Sequence, residues 1–211
     1  MKKTIDGNTA VGMIAYKSSE VIPIYPITPS SPMAEYCDGE LSQGKKNIFG
    51  KLPTLVEMQS EGGASGALHG SLSTGALSTT FTSSQGLLLM IPNLYKMAGE
   101  HLPGVLHVAA RTVATHALSI FGDHSDIMAI RQTGAILLCS NSVQEAHDFT
   151  LIAHILALIT SLPVVHFFDG FRTSHEIQKI DTIEDEQILK LIPQKEIEKF
   201  KNSCLDSSRP Y

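Results

Sequence analysis

The chain has 211 residues, 43% of them apolar and 18% charged, with a formal net charge of −5. This composition supports a sizeable core and excludes global disorder, and the scattered lysines and arginines form no stripe of the kind that grips nucleic acid. Cys37, Cys139 and Cys204 stand far apart with no C-x-x-C pair, which argues against a zinc site, an iron–sulfur cluster or a disulfide framework and fits a reducing compartment.

The opening stretch MKKTIDGNTAVG carries charge but no apolar h-region, so it does not read as a secretory signal. The longest apolar stretches, near 86–92 and 151–159, are too short or too interrupted to cross a bilayer, and a cytoplasmic protein is expected. Residues 8–19 read as a helix and VIPIYP (21–26) as a buried strand stopped by proline. A helix follows over 31–42, and the Lys45-Lys46 pair reads as a solvated loop. LPTLVE (52–57) reads as a strand, 61–75 as a helix of small residues, and LSTTF (77–81) as a strand. Residues 85–98 read as a proline-interrupted helix, GVLHVAA (104–110) as a strand, and 124–132 as a short helix. AILLCS (135–140) is a strand in which Cys139 reads as a small core residue. Residues 142–160 form a longer helix, with Ser142 and Glu145 spaced as a capping box, and PVVHFF (163–168) is the last strand.

Short, unalternating apolar strands separated by helices predict a parallel sheet covered on both faces. The expected fold class is α/β: an open, doubly wound, mostly parallel sheet of about six strands. Ligands of such sheets bind outside the carboxyl ends of the strands, which puts 25–31, 57–63, 82–86, 110–115 and 169–172 on one functional rim. Residues 1–180 are expected to form one domain. Residues 181–211 read as a charged helical tail continuing it, without a further strand and with a polar, turn-like ending.

The stretch EMQSEGGASGALHG (57–70) raises the central question. A glycine-rich turn opening a helix usually receives a phosphate, but a carboxylate at its entrance would repel one. The spacing of Gly62, Gly63 and Gly66 also fails the dinucleotide fingerprint. Glu57 reads as a capping-box partner of Thr54, whereas Glu61 is divided between a favourable helix-dipole pairing and a functional role. The Gly/Ala/Ser pattern is suited to close approach of another backbone. Ser65 nearly fits a nucleophile elbow, and a hydrolase built on it would draw on His116 and Asp169. Arg111, at the end of the strand VLHVAAR, could pair with Asp123 or Asp126 or grip a ligand carboxylate bidentately. Thr28 sits between Ile27 and Pro29 in a strand-end turn. The nine histidines show no metal-ligand spacing and read as surface or satisfied core residues, and no metal ligand is expected.

Taken together, DGNTAV, YPITPSSPM, KKNIFG, EMQSEGGASGALHG, the long stretch from TTFTSSQG to HVAAR, HALSIFGDHSDI, RQTG, SVQEAHD and HFFDGFRTSHEIQKI resemble the N-terminal domain of the 2-oxoacid:ferredoxin oxidoreductase family, in its pyruvate-using branch. The likeness runs from residue 4 to about 180. It implies a thiamine diphosphate-binding fold that contributes only the pyrimidine half of the cofactor site. The family's catalytic glutamate falls on Glu61, whose carboxyl group would hydrogen-bond the pyrimidine ring and favour the imino tautomer that takes the thiazolium C2 proton. The resemblance assigns substrate contacts to Thr28 and Arg111, and cofactor contacts to Pro26, Thr28, Glu61 and Arg111.

It further implies that Mg²⁺, iron–sulfur clusters and coenzyme A belong to domains this chain lacks. Partners would be those remaining domains or subunits, with ferredoxin or flavodoxin for the whole enzyme. No nucleic-acid or membrane partner is expected, and an exposed apolar face could support a homodimer. The chain is therefore expected to be a truncated product, inactive alone. A fragment, a subunit of a split enzyme, and a non-catalytic remnant or partner-binding domain stand as the other readings.

Overall fold

The computed structural model describes residues 1–206 and 208. The chain runs β1 (Lys2–Asp6), α1 (Gly7–Ser18), β2 (Val21–Ile24), α2 (Ser31–Ser42), β3 (Thr54–Glu57), α3 (Glu61–Ser73), β4 (Thr79–Thr82), α4 (Ser84–Leu89) and α5 (Ile91–Gly99). It continues with β5 (Val105–Ala110), α6 (Ser125–Ile130), β6 (Ile136–Cys139), α7 (Val143–Thr160), β7 (Val164–Asp169), α8 (Arg172–His175), β8 (Ile177–Asp181), α9 (Asp185–Leu191) and α10 (Gln194–Ser203).

Local chemistry sets many of these boundaries. Asp6, Ser60 and Ser142 each cap a helix by accepting a backbone N–H three residues on. Glu145 completes its box one residue early, accepting from the N–H of Asn141 at 2.9 Å. Met90 lies between α4 and α5, and Pro92, which has no N–H to continue a helix, falls in the first turn of α5. Thr54 belongs to a strand, so the expected box with Glu57 does not form; Ser60 caps α3 in its place.

The sheet is parallel throughout, in two ladders: β3 with β2, and the order β4-β5-β7-β6. A single bridge between Val21 and Ser78 joins them, giving the spatial order β3-β2-β4-β5-β7-β6. The physical cause of the split is Pro23. It lacks the N–H that would reach β4, and the Thr80 hydroxyl compensates by donating to the Pro23 carbonyl at 2.6 Å. The expected sheet of about six parallel strands is thus present, interrupted at one seam. A separate antiparallel pair, β1 with β8, lies outside the sequence-derived elements; its register runs from Lys2 opposite Asp181 to Asp6 opposite Ile177.

Helices cover both faces. Helices α1, α2 and α7 pack on one face around Val11, Tyr16, Ile22, Met33, Phe81 and Phe168. On the other, α3 and α5 pack around Leu68, Leu72, Leu94, Met97, Leu106 and Val108. Helices α9 and α10 bury Ile188, Ile192, Ile197 and Phe200 in the same core, and Lys17 of α1 ion-pairs with Asp185. Residues 207 and 209–211, part of the turn-like ending, lie outside the described residues.

Three histidines meet where α7 packs on the sheet, His154 from α7, His107 from β5 and His166 from β7. His107, His154 and His166 are 0%, 6% and 0% exposed. His107 and His166 approach through their Nδ1 atoms at 3.1 Å, and His166 Nε2 meets the Ser140 hydroxyl at 2.9 Å. Nε2 of His107 and of His154 has no hydrogen-bond partner among the described residues. The expectation of satisfied core histidines therefore holds for His147, which bonds the Ala10 carbonyl and the Ile183 N–H, and fails for these two. Among the described residues no cluster of His, Cys, Asp and Glu is arranged to hold a metal. Cys139 also departs from expectation: it ends β6 and is exposed.

Candidate active site

The strand order creates a topological switch. From β2 the chain moves outward to β3 and then returns to β4 on the other side of β2, leaving a crevice at the carboxyl ends of β2 and β4. Four loops leave the sheet there, carrying Thr28 after β2, Glu61 after β3, Gln85 and Gly86 after β4, and Arg111 after β5.

Glu61 is the first residue of α3 and only 8% exposed. Its carboxylate forms no hydrogen bond or ion pair with any described residue, although burial of a charge ordinarily demands a partner. Gly86 packs directly against it. A Cβ there would stand 2.5 Å from Thr82 Oγ1, 2.7 Å from Glu61 Cγ and 2.9 Å from Glu61 Oε1. Gly86→Ala is accordingly expected to lower stability by about 1–3 kcal/mol through overpacking, measured by urea denaturation. An unchanged midpoint would mean that both Thr82 and Glu61 give way freely. A Cβ added at Gly66 or Gly70 of α3 would meet nothing within 4 Å beyond the helix itself, so no other backbone of the described residues approaches them.

Arg111 is 6% exposed. Its Nη1 donates to the Thr28 carbonyl at 2.6 Å and its Nη2 to Gln85 Oε1 at 2.9 Å, while Nε has no partner among the described residues. No carboxylate lies within ion-pair distance of the guanidinium among the described residues. Burial lowers its pKa, and the charges of Asp126 and Glu61 act in the opposite direction. Neither sequence-suggested partner pairs with it: Asp126 accepts the Arg111 backbone N–H at 3.0 Å, and Asp123 bonds the Ser125 N–H. Glu61 and Arg111 thus share one crevice, and among the described residues neither has an oppositely charged side chain in contact.

Thr28 and Pro26 are exposed at the crevice lip, and the Thr28 hydroxyl makes no hydrogen bond with the described residues. Pro29 packs close to Gly170, where a Cβ would lie 2.8 Å from Pro29 Cγ and 2.6 Å from the Ala110 carbonyl. This brings the β2, β5 and β7 loops together. His124 Nε2 and Asp169 Oδ1 are hydrogen-bonded beside them at 2.8 Å.

The Ser65 alternative fails on geometry. Ser65 is fully buried, its hydroxyl donates to the Gly62 carbonyl and accepts from Asn93, and Asp169 pairs with His124 rather than with the exposed His116. The sequence placed 82–86 on the rim without singling out Gln85 and Gly86, and suggested Asp126 as a partner of the Arg111 guanidinium, whereas it accepts the Arg111 backbone N–H. The available signal was SSQG, a polar Gly-containing turn directly after a strand.

The family described as pyruvate flavodoxin/ferredoxin oxidoreductase, thiamine diP-bdg, matches residues 13–211. A pyruvate:ferredoxin oxidoreductase of Moorella thermoacetica is 61% identical over 210 residues, covering 100% of this chain and 18% of that relative. A probable pyruvate-flavodoxin oxidoreductase of Escherichia coli is 63% identical over 207 residues, covering 98% of this chain and 18% of the relative. The chain therefore spans about a fifth of the length of these two curated relatives. Among solved structures, a 2-oxoglutarate:ferredoxin oxidoreductase from Magnetococcus marinus superposes with a TM-score of 0.76 at 24% identity, covering 88% of this chain and 32% of that one. That likeness establishes the α/β fold.

Proposed function

The chain belongs to the pyruvate flavodoxin/ferredoxin oxidoreductase family through its thiamine diphosphate-binding domain, and from this we propose that it forms the pyrimidine side of a thiamine diphosphate site together with the grip on a 2-oxoacid carboxylate. One observation carries the reading: Glu61 and Arg111 are both over nine-tenths buried at the switch-point crevice, and among the described residues neither has a charged partner in contact.

The residues present fit the cofactor. An aminopyrimidine offers a ring nitrogen that can meet a carboxyl group, and the carboxyl group of Glu61 has no hydrogen-bond partner among the described residues. When bound, thiamine diphosphate supplies the carbanion chemistry for decarboxylating a 2-oxoacid. Glu61 would hold a proton at that ring nitrogen, as a general acid–base group positioned by the close contact with Gly86 and the Ser60 cap. Arg111 offers its unpartnered Nε–H and remaining guanidinium hydrogens to the substrate carboxylate, while Thr28 O and Gln85 hold the rest of its fork. The Thr28 hydroxyl, without a hydrogen bond among the described residues, would bond the carboxylate or keto oxygen, and Pro26 beside it would contact the cofactor.

The whole enzyme would oxidise pyruvate to acetyl-CoA and CO₂ and pass electrons to ferredoxin or flavodoxin. Mg²⁺, iron–sulfur clusters and coenzyme A would be held by the remaining domains, which would cover exposed apolar residues beside the rim such as Leu118 and Phe121. Three free thiols and a family of redox enzymes accord with a cytoplasmic setting. Among the described residues no helix is long and apolar enough to cross a membrane.

The test is isothermal titration with thiamine diphosphate and Mg²⁺, on the chain alone and then mixed with the remaining domains. Mg²⁺-dependent binding is expected only on mixing, and weaker in Glu61→Ala. Absence of binding in the mixture, with all partners folded, would refute the shared site; tight binding by the chain alone would refute its division between domains.

A further inference from the structure

Asp126 is completely buried, yet its carboxylate faces no positive side chain within ion-pair distance among the described residues. Burial raises its pKa, partly offset by three backbone hydrogen bonds. Its Oδ2 accepts the N–H of Ser84 at 2.8 Å and that of Arg111 at 3.0 Å, and its Oδ1 accepts the N–H of Ile127 at 2.7 Å. One carboxylate oxygen therefore ties the loop after β4 to the end of β5.

The tied loop is strained. Ser84 has φ +49°, a left-handed conformation unfavourable for a residue with a side chain. Its hydroxyl lies 2.7 Å from the Thr112 carbonyl and 2.6 Å from Gln85 Oε1, the same oxygen that receives Arg111 Nη2. The contacts form a closed ring: Asp126 holds the Ser84 and Arg111 backbones, Ser84 orients Gln85, and Gln85 returns to the Arg111 guanidinium.

We propose that Asp126, acting through the Ser84–Gln85 turn, is a positioning residue that fixes the plane of the Arg111 guanidinium for a substrate carboxylate. Asp126 cannot touch a ligand, because it is 0% exposed. Its effect reaches the site through two backbone N–H groups and one side-chain amide. A guanidinium grips a carboxylate well only in a fixed orientation, so loss of this ring weakens substrate binding more than it weakens the fold. The inference rests on the reading that Arg111 grips the 2-oxoacid.

The experiment compares Arg111→Leu, Asp126→Asn, Gln85→Met and the Asp126→Asn/Arg111→Leu double variant in the enzyme assembled with its remaining domains. It measures KM for pyruvate, kcat and the melting temperature. Asp126→Asn keeps the shape but turns one acceptor into a donor against an N–H. It is expected to raise KM about 10-fold, with kcat falling less than threefold and no added effect on KM once Arg111 is leucine. Gln85→Met, at a half-buried position, breaks the last link without disturbing the buried carboxylate and is expected to raise KM several-fold. It carries the test if Asp126→Asn does not fold. If Arg111→Leu raises KM while Asp126→Asn lowers only the melting temperature, or Gln85→Met leaves KM unchanged, the positioning role is overturned. If Arg111→Leu itself leaves KM unchanged, the carboxylate reading fails first and the inference with it.

Discussion

Glu61→Gln is expected to lower turnover of the assembled enzyme by roughly 10²- to 10⁴-fold, the usual contribution of a positioned proton-transfer group. Glutamine keeps the length, the shape and one acceptor oxygen of glutamate but cannot hold or release the proton. Because the Glu61 carboxylate makes no hydrogen bond to any described residue, the substitution breaks no protein contact. Stability should change by less than about 1 kcal/mol. Activity and fold therefore separate cleanly, which would not be so for a glutamate serving as a structural cap. The capping work at this helix start is done by Ser60, whose hydroxyl accepts the Gly63 N–H at 3.1 Å. Glu61→Asp withdraws the carboxyl group by one methylene and is expected to show a comparable loss, because the Gly86 contact fixes the position of the longer side chain. A Glu61→Gln enzyme within threefold of the parent in kcat, with cofactor bound, would remove Glu61 from the chemistry.

Acidification from pH 7.5 to 5.0 is expected to destabilise the chain by about 4 kcal/mol through His154 and His166 alone. Burial pushes both imidazoles from 6.5 down to about 3, and for His166 the neighbouring His154 adds to the effect. Burial also holds His107 well below its ordinary value, assisted by the other two rings. The sign follows from these directions. Above the unfolded value of 6.5 both states are neutral and pH has no leverage. Below it the unfolded chain binds protons that the folded chain refuses, so stability falls as pH drops, until the folded value near 3 is reached. Each histidine contributes about 1.4 kcal/mol per pH unit in that window, hence roughly 2 kcal/mol at pH 5.0. Against a total stability of about 5–15 kcal/mol this is a large fraction. Urea denaturation at the two pH values measures it. His154→Leu should shrink the gap by about half, because it removes one titrating ring together with an unpartnered Nε2. Equal stability at pH 7.5 and 5.0 would mean that the folded chain admits the protons.

The legible part of this protein was local. The hydrophobic runs 21–26, 104–110 and 163–168 and the Ser142 cap are set by neighbours in sequence, and the runs are enough to predict a parallel sheet with its strand ends on one rim. The α2 boundaries, Ser31–Ser42, coincide with the prediction, because Pro32 starts the helix where a missing N–H costs nothing. Errors came where the deciding partner is distant. The segment KKTID forms β1 only because Ile177–Asp181 arrives beside it, and neither segment is apolar enough to announce itself. Cys139 lies in an apolar run but at the strand's last position, where the side chain meets the rim.

The site divides in the same way. Sequence by itself determined which residue types leave the strand ends, and with the motif likeness it singled out Thr28, Glu61 and Arg111. Only the tertiary structure decided that Arg111 leaves Asp123 and Asp126 for the Thr28 carbonyl and Gln85, that Gly86 walls in Glu61, and that Asp126 directs its charge to backbone N–H groups. The physical reason is that a charge selects its partner by burial and distance, and both are set by the order β3-β2-β4-β5, which no spacing along the chain encodes.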